Sequence, residues 1–180
     1  MLGAISNGQS QTVATAQISN TPLGGGVFDY TITLNNTGTT PIETFWFAWV
    51  PGQDYLATVP TNIVSPTNWS AIITGPGGGS DGSAIQWKTS LNPLATSSSL
   101  TFSFESTDTP AAIAGNSVFF PTTPVGTSFV YSGAPFVGTS DQFVVQSVPE
   151  PSTVALLLIG VLGLFWAGWR RNSSTSLLSL

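Results

Sequence analysis

Val27-Phe28-Asp29-Tyr30-Thr31-Ile32-Thr33-Leu34 carries the clearest alternating pattern in the chain. Phe28, Tyr30, Ile32 and Leu34 fall on one face and Asp29, Thr31 and Thr33 on the other, the period of two of a half-buried β-strand. Asn35-Asn36-Thr37-Gly38 follows as a turn, with Gly38 able to take φ > 0. The same alternation recurs outward along the chain. Leu100, Phe102 and Phe104 oppose Thr101, Ser103 and Glu105, and Ile85 and Trp87 oppose Ala84, Gln86 and Lys88. Phe129 and Tyr131 share a face, and residues 142–146 read as a last strand. The glycine-rich run Gly75-Pro76-Gly77-Gly78-Gly79-Ser80-Asp81-Gly82 joins a strand over 69–74 to one over 83–89 as a hairpin. No apolar run recurs at helical spacing, and there is no internal repeat. About seven to nine short strands with turn residues between them predict an all-β, two-sheet antiparallel sandwich of immunoglobulin-like type. Its core is expected to centre on Phe28, Tyr30, Ile32, Phe47, Trp87, Phe102, Phe104 and Phe129.

Composition narrows the chemistry. Up to Val148 the only basic residue is Lys88, against Asp29, Glu43, Asp54, Asp81, Glu105, Asp108 and Asp141, a net charge of −6. Such a surface has no electrostatic footprint for nucleic acid. The chain has no cysteine and no histidine. Disulfides, thiol nucleophiles, imidazole bases and His- or Cys-ligated zinc therefore drop out. No cofactor and no metal is called for, and the reading is that the chain is not an enzyme.

The C-terminal part has a different character. Val148-Pro149-Glu150-Pro151-Ser152 is followed by an uncharged apolar stretch over 153–169, then by Arg170-Arg171. At ~1.5 Å per residue those 17 residues give a helix of roughly 25 Å against a hydrocarbon core of about 30 Å, a short but workable span. The stretch is apolar on every face, unlike the one-stripe pattern of a helix in a soluble core. Trp166 and Trp169 stand where indole rings favour headgroups, and the arginine pair marks the cytoplasmic side. The expected organisation is an exported β domain over 1–147, a signal over 148–171 containing a transmembrane helix over 153–169, and a short cytoplasmic tail over 172–180.

This tail resembles the PEP-CTERM sorting signal of Gram-negative bacteria. The resemblance rests on Val148, Pro149, Glu150, Pro151 and Ser152, the apolar helix, and Arg170 with Arg171 as membrane stop. It implies a substrate of an exosortase-like membrane enzyme. It also implies insertion in the inner membrane with the N-terminal domain outside the cytoplasm, processing near the motif, and delivery to the cell surface or extracellular matrix. The bilayer, the sorting enzyme and an exopolysaccharide are the partners so implied. Two features stand apart from that pattern. Residues 172–180 continue past the basic pair, and residues 1–7 show no basic, apolar leader, so the start of the natural chain is expected upstream.

Within the domain, Phe45-Trp46-Phe47-Ala48-Trp49-Val50 is the densest aromatic run. Strict alternation puts Phe45, Phe47 and Trp49 on one face and Trp46, Ala48 and Val50 on the other. The preferred reading is a central strand buried on both faces beneath a long loop such as residues 51–69. The rival is an exposed platform in which Trp46, Trp49 and Trp69 stack on sugar rings. Burial of these side chains favours a structural, non-enzymatic envelope or matrix protein; an exposed coplanar row favours a carbohydrate-binding module. A hydrolase needs paired carboxylates, and nothing in the spacing of Glu43, Glu105 and the aspartates supplies them. Lys88 reads as a solvated edge charge.

Overall fold

The computed structural model describes residues 10–75 and 81–148. In chain order the strands are β1 (Ala14–Gly24), β2 (Val27–Asn36), β3 (Thr44–Phe47), β4 (Trp49–Val50), β5 (Gln53–Asp54), β6 (Thr61–Val64), β7 (Ser70–Thr74), β8 (Ala84–Lys88), β9 (Ser99–Ser106), β10 (Thr127–Tyr131), β11 (Ser140–Val144) and β12 (Gln146–Ser147), with one short helix, α1 (Pro110–Ala114), before β10. Two five-stranded sheets face each other as a sandwich. The first runs β12-β1-β2-β9-β6 and the second β11-β10-β3-β8-β7, with β4 and β5 as a separate ribbon. These residues fall in a unit, Met1–Val148, distinct from Pro149–Leu180. Among the described residues no helix is long and apolar enough to cross a membrane; the span expected over 153–169 lies outside them.

Alternation builds the core. The first sheet turns Ala16, Ile18, Tyr30, Ile32, Leu34, Phe102 and Phe104 inward. The second answers with Phe45, Phe47, Ile85, Trp87 and Val130. Their rings interdigitate: Tyr30 stacks on Phe104 at 5.2 Å between centroids, while Phe102 lies 5.0 Å from Trp87 and 5.4 Å from Phe45. Such pairs add about 0.5–1.5 kcal/mol each beyond the area they bury.

Four features differ from the sequence reading. Among the described residues the pairing is antiparallel except at one edge, where β12 lies parallel to β1, Gln17 opposite Gln146. Phe129 is not in the main core; Val130 takes the inward position, and Phe129 packs on the opposite face of the second sheet. Gly38 owes its place to crowding rather than to a positive φ, because a Cβ there would collide with the Gln11 carbonyl oxygen and the Val13 nitrogen. One helical turn does occur at α1. Thr109 caps it by accepting from the Ala112 N–H, and a proline opens it, where the missing N–H costs nothing.

Candidate functional site

The second sheet buries both of its faces at β3. Phe45 and Phe47 point into the sandwich, and Trp46 points out. Strict alternation ends at Ala48, whose φ of 58° is in the left-handed region. This kink is held where the Tyr55 N–H donates to the Ala48 carbonyl at 2.9 Å. It turns Trp49 to the outer face beside Trp46 and sends Ala48 and Val50 toward the core, the reverse of the faces expected from alternation. Trp46 and Trp49 then stack at 4.1 Å with planes 18° apart.

What covers this pair is not the 51–69 segment but the hairpin connection over 132–139. From it Phe136 reaches Trp49 at 5.6 Å and both Trp46 and Tyr131 at 5.8 Å. Phe129 closes the side, edge-on to Trp49 at 5.8 Å. The connection is pinned by Ser132 N–H to the Thr139 carbonyl at 2.9 Å and by Val137 N–H to the Ala134 carbonyl at 2.8 Å. The outcome for the three tryptophans is burial: Trp46 is 4% exposed, Trp49 6% and Trp69 6%. Trp69 lies in the main core, edge-on to Phe102, and its indole N–H donates to the Asn92 carbonyl at 2.9 Å. The three do not form a row. The indole N–H of Trp46 is buried with no hydrogen-bond partner among the described residues, a cost of about 1–3 kcal/mol that its ring packing must outweigh.

The buried acids have structural partners. Asp108 accepts from the Ala57 and Thr58 N–H groups at 3.1 and 3.2 Å, and its own carbonyl accepts from the Tyr30 hydroxyl. Burial pushes its carboxyl above the usual 3.8 despite those donors. Asp54 accepts from the Thr74 hydroxyl at 3.2 Å; burial raises its carboxyl too, with the charge of Asp81 adding to the effect. Glu105 accepts from the Asn62 amide at 2.7 Å on the surface. Among the described residues no three Asp or Glu side chains converge to hold a metal ion. Lys88 is exposed, but on β8, an inner strand between β3 and β7, so it is not an edge charge.

At the end of the domain, β12 leads straight into the motif. The Val148 N–H donates to the Ile18 carbonyl at 2.9 Å, so the first residue of the motif is still bonded to the sheet edge. Pro149, Glu150, Pro151, Ser152, Arg170 and Arg171 lie outside the described residues. Pro149 has no N–H to continue the ladder.

No curated protein matches the sequence. Among solved structures, a GH20 exo-β-N-acetylglucosaminidase from Vibrio harveyi, in complex with N-acetylglucosamine, is similar at 14% identity over 76% of this chain, with a TM-score of 0.38. The match spans 18% of that enzyme's length. A family IIIa CBD from Clostridium cellulolyticum is similar at 12% identity over 54% of this chain and 73% of its own, with a TM-score of 0.33. At these scores neither likeness bears on function. A family model described as the PEP-CTERM protein-sorting motif matches residues 147–171, the segment that begins where β12 ends. The chain carries, at its C-terminal end, the PEP-CTERM protein-sorting motif.

Proposed function

We propose that this protein is a non-enzymatic component of the cell envelope or exopolysaccharide matrix: an immunoglobulin-like β-sandwich exported across the inner membrane, held by its C-terminal helix, and processed at Val148 to Ser152 by an exosortase-like enzyme. The observation that carries the reading is the sorting motif over 147–171 abutting a folded domain. The domain supports a passive role. Its densest aromatic run is spent on packing, and the buried Asp108 carboxylate is held by the backbone N–H groups of Ala57 and Thr58.

The alternative, a carbohydrate-binding module, asks Trp46, Trp49 and Trp69 to present their rings to solvent. Their burial gives that use of them no support, although Phe136 stands exposed above the first two.

Alanines in place of Pro149, Glu150 and Pro151 test the proposal. In a host that has the sorting enzyme, the variant should insert in the membrane as wild type does and stay there. Release of the variant at the wild-type rate would refute processing at this motif.

A further inference from the structure

The connection over 132–139 also walls a groove of about 300 Å³ on the second sheet, at the end of β8. This is at the small end of the roughly 300–1,000 Å³ of ligand clefts, enough for one or two sugar rings. Asn68, Ser70 and Ser90 give it amide and hydroxyl groups, Leu91 and Pro135 give it apolar walls, and Lys88 stands in it.

Two observations make this more than a surface dent. Lys88 is the sole cation up to Val148, in a region of net charge −6, and it is exposed on an inner strand where it guards no edge. Leu91 is 78% exposed, an apolar wall left open to water.

We propose that this groove binds an acidic saccharide, a pyranose ring bearing a carboxylate. The ring's C–H face would lie on Leu91 and Pro135. Its hydroxyls would meet Asn68, Ser70 and Ser90, and its carboxylate the Lys88 ammonium. A single ammonium without an arginine fork makes one point-charge contact, which suits one carboxylate. The inference goes beyond the sorting reading and does not depend on it, because binding is read on the purified chain whether or not it is processed.

Titration calorimetry of the full chain in detergent micelles tests it, with a galacturonate trisaccharide and the neutral galactose trisaccharide as probes. The acidic probe should bind saturably with Kd near or below about 1 mM, and the neutral one at least about tenfold more weakly. Lys88→Gln, checked for an unchanged melting temperature, should lose about tenfold toward the acidic probe and no longer discriminate between the two. Leu91→Ala, at an exposed wall of the groove, should weaken both probes equally. Absence of saturable binding by the acidic probe, equal affinity for the two probes, or a Lys88→Gln variant that binds like wild type would each overturn the proposal.

Discussion

Phe104 shows how much a single side chain carries. It is fully buried, stacked on Tyr30 and tilted against Phe47 at 5.4 Å, so it joins both sheets. Phe104→Ala should lower stability by about 3–5 kcal/mol in denaturant titration, a large share of what a marginal domain has. Asp54 and Asp108 make an opposite kind of prediction. Burial raises both carboxyls above 3.8, so the native state holds these protons more tightly than the unfolded chain does. Their contribution to stability is full below the unfolded value of about 3.9 and is lost as pH rises through the raised native values. The melting temperature should therefore be higher near pH 4 than near pH 7, and Asp54→Asn should raise it at pH 7 and flatten the curve. A stability maximum at neutral pH in the wild type would contradict this. At this scale the sequence was legible where alternation is unbroken, as at Tyr30, Ile32, Phe102 and Phe104. It misled at Ala48, because a left-handed alanine leaves no mark in a hydropathy pattern, and one such residue exchanges the faces of everything after it.

Strands and turns were read more easily than their partners. The hairpin of β7 and β8 follows from turn chemistry, and the pairing Ile72 with Gln86 is local. The parallel contact of β12 with β1 spans most of the domain and rests on two register pairs, so no local pattern announces it. The cover over Trp46 was assigned to a long loop such as residues 51–69, whereas the connection over 132–139 supplies it through Phe136. Since that cover makes Trp46 part of a second packed cluster, Trp46→Ala should destabilise the domain by about 3–5 kcal/mol, read by thermal melts of the variant against wild type. An unchanged melting temperature would show that the outer cluster contributes little and would return Trp46 to the list of surfaces open to ligands.

For the whole molecule, the sandwich and the signal were legible for different reasons. The sandwich follows from period-two burial repeated across many strands; the signal follows from the order of a proline-bounded motif, an uncharged span and a basic pair. The groove at Lys88 was not legible, because the residues that line it come from three separate stretches that only the sheet order brings together. Topology offers one check of the account. A reporter active only in the cytoplasm should be silent when fused after Ser147 and active when fused after Leu180; the reverse pattern would put the domain on the wrong side of the membrane for sorting. Processing at the motif is read from the intact mass of the mature protein recovered from a host that has the sorting enzyme. That polypeptide should end between Val148 and Ser152, and a species still carrying Leu180 as its sole mature form would show that no processing occurs there.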